Sequence, residues 1–300
     1  MSKYIIIFDD DLDGNTAAIQ FMWKYGNICD FIPCRIKDLQ AEFDKNKNYN
    51  IDYNHIFFLD LDTSQYQDEI NKIAKLTKVT VIDHHDTHSK SGYVEGVNKL
   101  IDSNASSTAK MVYKMLQDGN YTHNQNLLVF HADDYDSFKL KSEDSFNLNI
   151  IFSELGYDKW TIFKKRFFNG FNGFTDEDRE IIVKFYNNLK VSFKQAEKHV
   201  GTIDGEYGNV DGSLSTLLII NKDRHHNICP STMGRILKRK DKYDILMFVS
   251  PGMRISLRKG TDNDFDLSVC AASVFKGGGH ADAAGGIMDE DAMNILESMG

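Results

Sequence analysis

No Cys-x-x-Cys pair occurs in this sequence. The cysteines number four and lie apart, at Cys29, Cys34, Cys229 and Cys270. A zinc site of the finger or ribbon type is therefore excluded, and the thiols read as buried and reduced, as in a cytosolic protein. Prolines are scarce, three in 300 residues, so no proline-rich linker stiffens the chain. No apolar run approaches the ~18 residues of a membrane span, so no transmembrane helix and no membrane partner are expected. The start runs from Lys3 through Tyr4-Ile-Ile-Ile-Phe8 straight into acids. That apolar stretch is too short for a signal peptide, and a cytoplasmic location is expected. Basic charge is also in deficit: 35 Lys and Arg face 44 Asp and Glu, a net charge of −9. A protein that holds long nucleic acid by its phosphates ordinarily carries the opposite sign. Long duplexes are set aside as partners on that ground, whereas a short phosphorylated ligand in a local pocket is not. No interleaving of basic and aromatic residues marks a single-strand groove.

What is present is ordinary globular material, 41% hydrophobic and 26% charged, long enough for about two domains. Strand-like runs cover residues 3–8, 29–34, 55–59 and 78–82, and helical segments cover 14–25, 66–77, 107–117 and 126–132. This alternation predicts α/β architecture: a parallel β-sheet with helices on both faces. Residues 146–200 show helical periodicity. Thr175-Asp-Glu-Asp178 reads as a helix start with acids in its first turn. Beyond Gly201 the pattern is mixed, with strands expected at 214–220, 244–249 and 254–258, a proline-opened helix at 230–239, and a glycine-rich loop over 277–286. The predicted organisation is a domain over residues 1–190, a helical linker to about 200, and a smaller α/β domain over 201–300.

Acids recur at the ends of the predicted strands. Asp9, Asp11 and Asp13 follow the first, Asp60 follows Phe57-Phe-Leu59, and Asp83-His84-His85 follows Val79-Thr-Val-Ile82. In an open α/β sheet, ligands bind beyond the carboxyl ends of the strands. Each piece has a plainer reading: an Asp-x-Asp-Gly turn, a helix cap, a pair of solvated histidines. Recurrence at three strand ends is what caps do not require. Crowded carboxylates cost several kcal/mol unless neutralised. Mixed carboxylate and imidazole donors suit Mn²⁺ or Fe²⁺ better than calcium or structural zinc.

The segment Val81-Ile-Asp83-His84-His85 resembles the signature of the DHH phosphoesterases. Asp9-x-Asp11-x-Asp13-Gly14 is similar to that family's first motif, Phe58-Leu59-Asp60 to its second, and Ser106-Ser-Thr-Ala109 to the stretch opening the helix after Asp-His-His. Ile255-Ser-Leu-Arg258 and Gly277-Gly-Gly-His280-x-x-Ala283-Ala-Gly285 resemble the DHH-associated C-terminal domain. The resemblance implies two Mn²⁺ ions, with Mg²⁺ or Co²⁺ as substitutes. One ion would take Asp9, Asp11 and a bridging Asp60. The other would take Asp13, Asp60, His84 and an aspartate of a fourth motif. Of the acids in His131-Ala-Asp133-Asp134-Tyr-Asp136, comparison with the family pattern favours Asp134, then Asp136, then Asp133. His131 reads as a helix-surface residue. His85 would face the phosphate, and Asp83 would orient the loop or a histidine. Many relatives have histidine where this chain has Asp9, which bears on metal preference.

In the C-terminal segment, Gly278 and Gly279 let the backbone approach a ligand, and Arg258 can grip a phosphate with its fork of donors. By resemblance, Arg258, Gly278, Gly279 and His280 hold the far end of the substrate. Arg254 is a weaker second candidate on the same face, and Lys259 is expected to point into solvent. The reading is a metal-dependent hydrolase of phosphodiester or phosphomonoester bonds in short nucleotides, with catalytic Asp60, His84 and His85. Oligoribonucleotides, dinucleotides and 3′-phosphoadenosine 5′-phosphate fit as substrates, and a homodimer is compatible with it. Two rivals stand beside it. One is an inorganic pyrophosphatase or exopolyphosphatase with the same metal site, which the glycine loop weighs against. The other is a non-enzymatic nucleotide or calcium sensor.

Overall fold

A computed structural model of the chain describes residues 3–45, 53–85, 92–93, 95–116, 121–196, 200–205, 214–220, 243–250, 254–261 and 264–288. The chain divides into two compact units, Met1–Asp178 and Arg179–Gly300. Among the described residues no helix is long and apolar enough to cross a membrane.

The first unit is built on five strands: β1 (Tyr4–Phe8), β2 (Cys29–Pro33), β3 (His55–Leu59), β4 (Lys78–Asp83) and β5 (Val97–Ile101). They lie in the order β2-β1-β3-β4-β5, and every neighbouring pair is parallel. The side-chain period of two sorts their residues onto two covered faces. On one face Ile6, Phe8, Phe57, Leu59 and Ile82 pack with Ala17, Phe21, Val112, Leu128 and Phe163. On the other Ile5, Ile7, Ile56, Phe58, Val79 and Val81 pack with Leu39, Phe43 and Ile70. Each such side chain contributes ~1.5–3 kcal/mol when fully buried.

The covering helices are α1 (Leu12–Tyr25), α2 (Leu39–Lys45), α3 (Gln67–Ala74), α4 (Thr108–Leu116), α5 (His123–Asp136), α6 (Glu143–Ser153) and α7 (Lys159–Arg166). An eighth, α8 (Asp176–Ala196), starts at a reciprocal cap. Its Asp178 N–H donates to Thr175 Oγ1 at 3.2 Å, and the Thr175 N–H donates to Asp178 Oδ2 at 2.7 Å. The expected helical stretch from 146 is thus three helices separated by turns.

The second unit holds β6 (Val200–Gly205), β7 (Leu214–Ile220), β8 (Ile245–Ser250), β9 (Arg254–Lys259), α9 (Leu267–Val274), β10 (Gly278–Gly279) and β11 (Ala283–Ile287). The sheet order is β10-β11-β9-β8-β7-β6, with only β7 and β8 parallel. The helix expected at 230–239 lies outside the described residues. Two expectations are corrected here. Most of the glycine-rich loop is a hairpin, because Ala283–Ile287 pairs in antiparallel register with Arg254–Arg258. Lys259 does not point into solvent: it is buried, with Nζ 2.8 Å from Asp282 Oδ1.

Candidate metal centre

Sheet register places the first three acids. Phe8 pairs with Leu59, and Leu59 with Ile82. The next residues, Asp9, Asp60 and Asp83, therefore leave three adjacent strands at one level. The Asp9 N–H donates to Leu59 O at 3.2 Å and the Asp60 N–H to Ile82 O at 3.0 Å, so the ladder runs on into the acids. Asp60 has φ 58°, the left-handed region that aspartate tolerates better than most residues.

Asp11 and Asp13 come from the start of α1. Asp11 is its N-cap, accepting the Gly14 N–H at 2.8 Å. A Cβ on Gly14 would lie 2.3 Å from Asp9 O, so only glycine lets the helix begin this close to the strand end. Asp13 is buried and accepts two backbone N–H groups from the start of α4, Thr108 N–H at 2.7 Å and Ala109 N–H at 2.9 Å.

His84 occupies the middle. Its Nε2 lies 3.3 Å from Asp136 Oδ2, 3.4 Å from Asp60 Oδ1 and 3.8 Å from Asp13 Oδ2. Ligand atoms of Asp60, His84 and His85 all lie within 4.8 Å of one another. His85 Nδ1 is 2.7 Å from Oδ1 of fully buried Asp83, which orients the ring.

The acids at the end of α5 point three ways. Asp134 does not reach the cluster: its two oxygens accept the N–H groups of Lys141 at 2.9 Å and Ser142 at 3.0 Å, bracing the turn after the helix. Asp133 accepts the hydroxyls of Ser106 and Ser107. Asp136 turns to His84 instead. The resemblance favours Asp134, but among these three acids it is Asp136 that the structure brings beside His84. His131 is buried rather than on the helix surface, with Nδ1 3.0 Å from Ser145 Oγ.

The electrostatics follow from crowding. Burial, then the charge of Asp60, raises Asp9 to about 7 against the pull of the Asp10 N–H. Burial with Asp60 and Asp136 holds Asp13 well above the usual carboxylate range. Burial also lifts Asp136 to about 6, although His84 draws it down. For Asp60, burial is outweighed by His84 and His85, which leave it below its ordinary value. Burial would lower both imidazoles, but Asp60 carries His84 up to about 11 and Asp83 carries His85 up to about 9.

The donor set fits divalent cations. Carboxylates that raise one another's pKa release that repulsion when an ion takes their oxygens. Asp136 Oδ2 is buried and accepts no hydrogen bond, as an oxygen reserved for a ligand would.

The C-terminal candidates lie together within the second unit. The Arg258 guanidinium donates to Leu257 O at 2.7 Å and Ala284 O at 3.4 Å. Arg258 faces Ala283 across the ladder, and Gly279 pairs with Ala284 on the next strand. Gly279 has φ 143°, and a Cβ there would lie 2.6 Å from Ala283 O. Gly278 has open space where a side chain would be. His280 closes the turn through its N–H to Ala283 O at 2.8 Å.

Residues 3–133 match the family model described as the DHH family, N-terminal domain. No curated protein matches the sequence. Among solved structures, a member of the s1p family of ribosomal proteins, DHH domain, superposes with TM-score 0.65 at 14% identity, covering 99% of this chain and 85% of that one. An exopolyphosphatase-related protein from Bacteroides fragilis gives TM-score 0.54 at 16% identity, with coverage of 99% and 91%. RecJ in complex with Mn²⁺ from Thermus thermophilus gives TM-score 0.53 at 14% identity, with coverage of 99% of this chain and 51% of RecJ. These likenesses establish the fold.

Proposed function

We propose that the protein, whose residues 3–133 match the DHH family N-terminal domain, is a metal-dependent phosphoesterase acting on short nucleotides. The observation that carries this reading is the convergence of Asp9, Asp11, Asp13, Asp60, His84 and Asp136 at one edge of the parallel sheet. A solved neighbour with the same fold is RecJ in complex with Mn²⁺, which supports manganese as the first metal to test.

Asp9, Asp11 and Asp60 would hold one ion, and Asp13, Asp60, His84 and Asp136 the second. Such a pair supplies a hydroxide nucleophile near neutral pH and takes up charge on phosphate oxygens. The chain's own residues do the rest. His84 ligates only as the neutral imidazole, so it gives up its proton when the site loads. His85, held by Asp83, keeps its other nitrogen free to donate to a phosphate oxygen. Within the second unit, Arg258, with His280, Gly279 and the open backbone at Gly278, would bind a phosphate of the substrate. A net charge of −9 agrees with short substrates rather than long strands.

The test is turnover by purified protein with Mn²⁺ of a short RNA dinucleotide, of 3′-phosphoadenosine 5′-phosphate, and of pyrophosphate and polyphosphate. The reading expects release of mononucleotides or phosphate from the nucleotides, stopped by chelation and abolished by Asp60→Ala. Turnover of pyrophosphate or polyphosphate alone would assign the site to the exopolyphosphatase class. No turnover of any phosphate ester would remove the enzymatic reading.

A further inference from the structure

Two of the proposed ligands are held by one residue that ligates nothing. Thr108 is fully buried at the first position of α4. Its N–H donates to Asp13 Oδ2 at 2.7 Å, and its hydroxyl donates to Asp60 Oδ1 at 2.9 Å. Asp13 and Asp60 sit on different elements, α1 and the end of β3. Thr108 is thus a single rigid link between an acid of the first motif and the acid expected to bridge.

The bonds exceed what a helix start needs. The capping role at α4 belongs to Ser107, whose Oγ accepts the Lys110 N–H at 3.1 Å. The N–H groups of Thr108 and Ala109 would ordinarily go to water or a local side chain. Here both go to one carboxylate on another helix, one to each oxygen. That fixes the plane of Asp13 and leaves each of its oxygens a lone pair for an ion.

Thr108 is in turn held from behind. Ser106 Oγ donates to Asp133 Oδ1, and Ser107 Oγ donates to the same oxygen at 2.9 Å. Asp133 and Asp136 are three residues apart on α5, one turn of one helix. The turn that supplies Asp136 to the cluster therefore also anchors the Ser106-Ser107-Thr108 segment.

We propose that Thr108, anchored through Ser106 and Ser107 to Asp133, is a positioning residue that sets Asp13 and Asp60 at the separation a pair of divalent ions requires. The inference rests on the metal-centre reading above. Groups that orient metal ligands from behind typically change affinity 10–100-fold when removed.

The test is titration of the full-length protein with Mn²⁺ alone, free ion being counted by electron paramagnetic resonance, with urea unfolding of the metal-free protein alongside. Wild type should bind two ions. Thr108→Val keeps the shape and removes the hydroxyl, and should weaken Mn²⁺ binding about 10–100-fold at nearly unchanged unfolding midpoint. Thr108→Ser should restore affinity. Asp133→Ala should weaken binding like Thr108→Val, whereas Asp133→Asn keeps an accepting oxygen for the serines and should bind like wild type. Wild-type binding with unchanged affinity in Thr108→Val and Asp133→Ala would overturn the positioning role and leave the metal centre standing. Affinity lost only in proportion to the unfolding midpoint would overturn it as well. If Thr108→Val does not fold, Thr108→Ser and the Asp133 pair decide by the same criteria. Absence of Mn²⁺ binding in wild type would overturn the metal-centre reading and this inference with it.

Discussion

His84 and Asp136 meet at 3.3 Å, Nε2 to Oδ2, although one follows a strand directly and the other ends a helix 52 residues later. The contact joins the signature tripeptide to the one acid of α5 that points at the sheet edge. It separates two neighbouring acids that a linear reading treats as alternatives.

Asp136→Asn should remove tight binding of one Mn²⁺ and cut turnover by at least 100-fold, with little change in the metal-free unfolding midpoint. Asp134→Ala should do the reverse. It strips the acceptors from Lys141 and Ser142 and should cost about 1–3 kcal/mol. Calorimetric metal titration and urea unfolding of both variants check the split.

Gly14→Ala places a methyl 2.3 Å from Asp9 O, against backbone that cannot swing aside. The helix start must shift away from the strand end. A loss of about 1–3 kcal/mol is expected, with weaker metal binding, because Asp11 and Asp13 move with α1. Thermal unfolding with and without Mn²⁺ measures both.

The strand ends were legible because a parallel sheet imposes a simple rule. Buried strands read as short apolar runs, and their last residues line one edge. Register then carries Asp9, Asp60 and Asp83 to one level without further information. Asp136 was not legible from the sequence alone. Three acids within four helical positions point in different directions at 100° per residue, and the turn after α5 decides which faces inward. The edge strand β5 was missed because Asn98, Lys99 and Leu100 are exposed and break the apolar pattern. The hairpin at Ala283–Ile287 read as a loop because its glycines hide a strand whose partner is β9. Lys259 followed the alternation of its own strand inward and found Asp282.

The carboxyl of Asp178 gives a pH prediction remote from the metal centre. Burial would raise it, but Arg166 and the Thr175 N–H and hydroxyl bring it below its ordinary 3.8. A depressed folded-state pKa contributes stability above the unfolded value, and that contribution is lost as pH falls through the folded one. Asp178→Asn should therefore be less stable than wild type at pH 7, by about 1–2 kcal/mol. The gap should close as the pH drops below 3.8. Urea unfolding at a series of pH values checks the sign.

Under the proposed phosphate-binding role of Arg258, Arg258→Ala should raise KM with kcat largely kept, since a contact of equal strength in ground and transition states affects binding alone. Steady-state kinetics on a dinucleotide, compared with a substrate lacking the terminal phosphate, checks this. The variant's penalty should vanish on the truncated substrate.

The most direct measurement is anomalous scattering at the manganese edge from crystals soaked in Mn²⁺. Two peaks are expected at the carboxyl ends of β1, β3 and β4, ligated by Asp9, Asp11, Asp13, Asp60, His84 and Asp136 and sharing Asp60. Crystals that scatter well and show no manganese bound to these side chains would contradict the metal-centre reading.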